Sequence, residues 1–145
     1  MEKRRPKVSG IVVDASAVAP FMIADEAKDQ SPKLLDLLTG DGVRVPHHWR
    51  LEMANLGRKA VRRDRLTREE LDEAITLLAT FRVTIDEESH RHVWGRTLAL
   101  ASDHNLTSYD AAYLELALRR SAKLATLDRA LGAAAIKAGA ELFEL

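Results

Sequence analysis

An α/β fold with a mainly parallel central sheet is predicted for this 145-residue chain from three features of its sequence. Short runs rich in β-branched residues, IVV, VRV and VTI, recur between Gly, Pro and Asp, as buried strands do. Longer segments with apolar residues at helical spacing separate them. Strands alternating with helices make parallel sheets whose crossover helices cover both faces.

The elements follow in order. KVSGIVVDAS gives a short buried strand bounded by Gly10 and Asp14. ASAVAPFMIA is a helix, with Pro20 as a kink or break. SPKLLDLLTGDG is a clear helix: Ser31 caps it, Pro32 suits its first turn and Gly40 stops it. GVRVPHH is a strand ending before Pro46, and HWRLEMANLGRKAVRRDRL is a helix despite Gly57. TREELDEAITLLATF opens with the capping-box pair Thr67 and Glu70. RVTIDEE is the third strand. HRHVWGRTLALASDHN is helical and ends at Asn105; SYDAAYLELALRRS is helical, entered through Thr107 or Ser108. KLATLD is the fourth strand, DRALGAAAIKAG the last helix, closed by Gly139, and ELFEL a terminal edge strand.

Composition narrows the class. A hydrophobic fraction of 46% suits a folded domain with a real core. The chain has no cysteine, which removes disulfides, zinc–thiolate sites and thiol nucleophiles and fits a reducing compartment. The apolar run IVV is too short for a signal peptide or membrane span, so a soluble cytoplasmic protein is expected. Lys+Arg and Asp+Glu both number 22, so any nucleic-acid contact must use a local basic patch. Such a patch exists at Arg58, Lys59, Arg62, Arg63 and Arg65, while acids gather at Asp86, Glu87 and Glu88. No P-loop, GxGxxG, GxSxG or HExxH motif occurs.

Four acids stand beside predicted strands or helix starts: Asp14, Glu52, Asp110 and Asp128. Ligands of parallel sheets bind beyond the carboxyl ends of the strands. Chain order puts Asp14, Glu52 and Asp128 at that edge, and Asp110 joins them if its helix begins there. Together such carboxylates hold Mg²⁺ or Mn²⁺. Each also has a plainer role. Asp14 or Ser16 suits an N-cap, and Asp110 and Asp128 suit first helical turns, beside Thr107 and Thr126 as caps. Glu52, among Leu51, Met53, Ala54 and Leu56, resists such an account unless His48 or Arg50 pairs with it. Asn55, one turn on, would orient it or pin a loop.

Lys59 and Arg63 lie seven and eleven positions after Glu52 and share its face on an unbroken helix. A cationic track leading from a carboxylate site suits a phosphodiester substrate; a solvated surface is the plain alternative. His47, His48, His90 and His92 read as surface or interface residues, and Trp49 and Trp94 as core or interface aromatics.

IVVDASAVAPFMIADE, WRLEMANLG and LTSYDAAYLELALRRSAKLATLDRAL together resemble the PIN-domain ribonucleases, specifically the VapC-type toxins of type II toxin–antitoxin systems. The resemblance runs from Val8 to the last strand and is most specific in YDAAYLELA followed by LATLD. It implies a three-layer α/β/α sandwich over residues 8–145, preceded by a basic, disordered arm at 1–7. It equates Asp14, Glu52, Asp110 and Asp128 with the four family acids, and Ser16 and Thr126 with their accompanying hydroxyl residues. It gives no warrant for the basic track, because the segment from Leu56 to Thr80 varies among such proteins.

The expected reaction is metal-dependent hydrolysis of RNA. Asp14 and Asp110 ligate Mg²⁺ or Mn²⁺, Asp128 acts through water or a second ion, and Glu52 completes the cluster or positions the water. Without metal the acids repel one another, and at least one pKa rises. The implied partners are a second copy of the chain, as a homodimer, and a small VapB-like antitoxin covering the groove. Phe21, Met22, Leu34 and Leu38 are candidates for contact surface, or plain core. The rival readings are a non-catalytic RNA- or partner-binding module and a haloacid-dehalogenase-type phosphatase. The second needs an Asp where Ser16 stands.

Overall fold

The computed structural model describes residues 10–145, so the expected arm at residues 1–7 lies outside the described residues. Four strands form one sheet: β1 (Ile11–Val13), β2 (Val43–Val45), β3 (Val83–Ile85) and β4 (Lys123–Ala125). Their order is β3-β2-β1-β4 and every pairing is parallel, with Val12 opposite both Arg44 and Leu124. The chain therefore steps outward from β1 through β2 to β3, then returns to the other side of β1. That reversal lies between β1 and β4, where parallel sheets open a crevice.

The helices are α1 (Ala15–Val18), α2 (Pro32–Thr39), α3 (Trp49–Arg62), α4 (Arg68–Leu78), α5 (Leu98–His104), α6 (Ser108–Arg120) and α7 (Arg129–Lys137). With the sheet they make a three-layer α/β/α sandwich. Val12, Val13, Val45 and Leu124 are fully buried strand residues, and α6 is buried from Ala111 to Ala117. A strand flanked by layers on both faces cannot alternate polar and apolar residues, which is why IVV is apolar throughout and Leu124 and Ala125 are both buried in KLA. Gly42 precedes β2 with φ +88°, and a Cβ there would sit 2.9 Å from the Arg82 carbonyl oxygen. Only glycine meets both demands.

The helix signals act as read. Ser31 Oγ accepts from the Leu34 N–H at 3.1 Å, and Thr67 and Glu70 form a reciprocal capping box. Thr107, not Ser108, caps α6. Asn105 ends α5 in the left-handed region, at φ 51°. Gly57 is tolerated within α3 because a Cβ would meet Leu71 Cδ1 at 2.6 Å; the close approach of α4 needs its absence.

Several expectations need correction. The helix after Asp14 lasts one turn before Pro20 turns the chain into 3₁₀ at Ala19–Phe21, and a second 3₁₀ stretch covers Ala24–Asp29. α3 stops at Arg62 rather than reaching Leu66, and Asp64 takes φ 57° in the turn to α4. The segment before α5 is 3₁₀ at Ser89–His92, then π-helical at Val93–Thr97. ELFEL makes only a single parallel bridge, Leu142 beside Leu124. Phe21, Met22, Leu34 and Leu38 are all core. Trp49 is buried as expected, but Trp94 is 92% exposed, and His48 is buried rather than superficial.

Of the gathered acids, Asp86 is not at the surface. It is buried at the end of β3, bonded to Ser89 Oγ at 2.7 Å and Arg119 Nη2 at 2.6 Å. No helix among the described residues is long and apolar enough to cross a membrane.

Candidate functional site

Asp14 leaves β1 at the crevice beside β4, its N–H bonded to the Ala125 carbonyl at 3.2 Å. It caps α1: Oδ1 accepts from the Ala17 N–H at 3.2 Å and from Ser16 Oγ at 2.7 Å. Its other oxygen, Oδ2, accepts from Thr126 Oγ1 at 2.6 Å. Ser16 Oγ in turn accepts from the Leu127 N–H at 2.9 Å, and Thr126 Oγ1 from the Asp128 N–H at 3.0 Å. The two hydroxyls thus lace the end of β1 to the turn after β4. Thr126 is not the cap of α7, as its position suggested; Asp128 is, with Oδ1 accepting from the Leu131 N–H at 3.1 Å.

Asp110 lies in the first turn of α6, and Glu52 in the first turn of α3. α6 feeds β4 from the opposite direction, so its start lies at the carboxyl edge of the sheet. That placement satisfies the condition Asp110 had to meet.

All four acids line one cavity of about 580 Å³, with Ser16, Asn55, Lys59, Arg63 and Tyr113 also in its wall. Thr126 stands behind Asp14. Lys59 and Arg63 are on the same side of α3 as Glu52, as the helical count required; Arg63 is the first residue past the helix. Asn55 does not hold Glu52: its side-chain oxygen accepts from Arg58 at 3.2 Å. Arg65 also borders the cavity but is tied to Asp25 and Glu26, with Arg65 Nε 2.9 Å from Asp25 Oδ2.

The electrostatics follow from burial. Asp14 is only 4% exposed, and removal from water pushes its pKa up to about 6, against the lowering effect of Thr126, Ser16 and the Ala17 N–H. The Asp110 pKa is raised by burial first, then by the charges of Asp128 and Glu52. A rise was expected, but from mutual repulsion; desolvation leads instead. Burial pushes Glu52 up as well, yet hydrogen bonds from His48 and Tyr113 outweigh it and hold its pKa low. Among the described residues, no three His, Asp or Glu side chains close upon a single point as a ready-made metal cage would.

Tyr113 is a site residue that the sequence reading missed. Its hydroxyl donates to Glu52 Oε1. The signal was present: Tyr113 is three residues after Asp110 on one helix, hence on the same face. His48 was one of two named partners for Glu52, and it is the one that reaches it, at 3.2 Å; Arg50 is exposed.

The PIN domain family model matches residues 11–137. Ribonuclease VapC3 of Pyrobaculum aerophilum is 33% identical over 121 residues, covering 83% of this chain and 91% of that protein. Among solved structures, the crystal structure of PAE2754 from Pyrobaculum aerophilum matches with a TM-score of 0.58 and 22% identity, over 90% of this chain and 87% of that one.

Proposed function

The chain belongs to the PIN-domain family, among its VapC-type members, and from that premise we propose that it is an Mg²⁺- or Mn²⁺-dependent endoribonuclease toxin. The observation that carries this reading is the single cavity into which Asp14, Glu52, Asp110 and Asp128 converge from four separate elements, with Lys59 and Arg63 on its wall. Helix capping accounts for Asp14 and Asp128 singly. It does not account for Glu52, nor for Asp110, whose helix is already capped by Thr107. A non-catalytic module has no need to gather all four.

The donor set fits a hard cation. Four carboxylates lead a set of oxygen donors with no thiolate, which suits Mg²⁺ or Mn²⁺. Mg²⁺ is usually held by one or two carboxylates and keeps several waters, so the lack of a closed three-residue cage is compatible with it. Asp14 and Asp110 would be the direct ligands, with Asp128 acting through water and Glu52 completing the cluster. A bound divalent ion would supply an activated water and offset charge on the phosphorane-like transition state.

The chain's own residues do the rest. Ser16 and Thr126 fix both oxygens of Asp14 and so aim its carboxylate. Glu52, held ionised, is suited to orient the attacking water by accepting a hydrogen bond from it. Lys59 and Arg63 would hold the RNA backbone beside the acids. A small VapB-like antitoxin covering this groove, and a homodimer, are the partners this reading implies. Exposed Leu51, Trp94 and Tyr109 offer apolar surface for protein contact.

The test is RNA cleavage by the purified chain with and without Mg²⁺ or Mn²⁺, read by sequencing the RNA ends produced. Asp14→Asn and Asp110→Asn should abolish cleavage with the circular dichroism spectrum unchanged. Undiminished cleavage by either variant removes the catalytic assignment.

A further inference from the structure

Glu52 is gripped by one oxygen only. The Tyr113 hydroxyl donates to Oε1, and His48 Nε2 lies 3.2 Å from that same Oε1. His48 Nε2 is also 3.1 Å from the Tyr109 carbonyl oxygen. Both of its neighbours are acceptors, so Nε2 carries its hydrogen, which is bonded to the Tyr109 carbonyl with Glu52 Oε1 in ion-pair range. Among the described residues, no donor reaches Oε2.

We propose that Tyr113 and His48 are positioning residues that clamp Oε1 of Glu52, so that Oε2 alone is presented to the metal-binding cavity. The proposal rests on the ribonuclease reading above. A glutamate in a first helical turn has several rotamers, and here it faces Asp110, whose charge repels it. A hydroxyl donor and an imidazole N–H within 3.2 Å of the same oxygen select one orientation against that repulsion. The donors also brace each other: the His48 and Tyr113 rings meet edge to face, with centroids 5.0 Å apart.

The clamp ties two helices together as well. Tyr113 sits one turn after Asp110 on α6, so the helix that delivers Asp110 also fixes Glu52 of α3. The His48 bond to the Tyr109 carbonyl joins the start of α3 to the start of α6. The spacing of the two carboxylates is therefore set by direct bonds between the helices and not by the loops between them. Tyr113 is only 1% exposed, so solvent does not compete for its hydroxyl.

The experiment is titration of the full chain with Mn²⁺ alone, following free Mn²⁺ by electron paramagnetic resonance. Loss of a residue that orients a ligand typically weakens metal binding by 10–100-fold. Tyr113→Phe and His48→Leu, each folded by circular dichroism, should therefore weaken Mn²⁺ binding by roughly tenfold. His48→Gln, which keeps an N–H donor, should recover most of the loss. In a Glu52→Gln background, Tyr113→Phe should add nothing, because its effect passes through that carboxylate. Wild-type affinity in Tyr113→Phe, or an equal loss in both backgrounds, overturns the clamp. Asp14→Asn serves as the control for the centre itself. If it loses Mn²⁺ while Tyr113→Phe does not, the clamp alone fails; if neither loses it, the metal centre fails and the clamp with it.

Discussion

Thr126 donates its hydroxyl to Oδ2 of Asp14 at 2.6 Å, joining residues 112 positions apart at the ends of adjacent parallel strands. The same Oγ1 accepts from the Asp128 N–H, so one hydroxyl orients one acid and shapes the turn that carries another. Thr126→Val keeps the shape and removes both functions. It should cost about 1–3 kcal/mol of stability, the usual penalty for leaving a buried acceptor unpaired. Mn²⁺ affinity should drop roughly tenfold. Thr126→Ser should restore both, as read by urea midpoint and Mn²⁺ titration. A Val variant with wild-type affinity would show that the hydroxyl merely closes a turn.

Asp14 sets a pH dependence on the metal-free protein. Its folded pKa of about 6 lies above the ordinary 3.8, so the native state holds the proton more tightly than the unfolded chain. Stability from this group is therefore fully present below about pH 4 and is lost as pH rises through 6. The size of the shift corresponds to about 3 kcal/mol. Asp14→Asn lacks the titration. The stability difference between wild type and variant should swing against wild type between pH 4 and 6.5, then level off. Added Mg²⁺ or Mn²⁺ should reverse the swing for wild type alone, since it binds only the folded, ionised site. Denaturant melts in buffers of matched ionic strength measure it; a flat difference would mean that Asp14 ionises as it does in water.

Lys59 and Arg63 line the cavity, whereas Arg65 is occupied by Asp25 and Glu26. Removing the two cavity cations should weaken RNA binding almost equally for all sequences. Each cation taken away from a phosphate should lower the slope of log K against log salt by about 0.7–0.9. Arg65→Ala should change that slope far less, because its charge is already matched. Filter binding of single-stranded RNA to an Asp14→Asn protein across a salt series separates these outcomes. Equal slopes for wild type and the Lys59→Ala/Arg63→Ala pair would place the RNA path elsewhere.

Much of this was legible before any coordinates, and the reasons are local. IVV between Gly10 and Asp14, and KLA before Thr126, mark strands buried on both faces, and the caps Ser31, Thr67 and Thr107 act over three residues. The convergence of the acids was legible because strand ends share an edge in a parallel sheet. What stayed hidden depends on pairings between distant segments. The Tyr113 bond to Glu52 spans 61 positions, and Arg119 reaches Asp86 across 33. His48 and Trp94 show the same limit: nothing in their neighbours says that the first is buried and the second 92% exposed. The π-helical stretch at Val93–Thr97 has no pattern of its own in the sequence.

Arg119 offers the sharpest test of that hidden part. Its guanidinium bridges Asp86 at 2.6 Å and Glu115 at 2.8 Å, and both carboxylates are nearly inaccessible to solvent. Burial would raise the Asp86 pKa, but bonds from Arg119 and Ser89 together with the arginine charges bring it down to about 2. A depressed carboxylate stabilises above its unfolded pKa and loses that contribution as pH falls toward 2. Arg119→Met keeps much of the aliphatic stem and removes the charge. It strands Glu115 and leaves Asp86, among the described residues, with the Ser89 hydroxyl and, as its one cation, Arg120 at 3.6 Å. Breaking a buried pair from one side typically costs about 3–5 kcal/mol, and a loss of that order is expected in urea denaturation. Added salt should recover little of it, since buried charges are poorly screened. Combining Arg119→Met with Asp86→Leu and Glu115→Leu removes the stranded charges and should return most of the stability. A triple variant as weak as the single one would trace the loss to packing of the guanidinium stem, not to uncompensated charge.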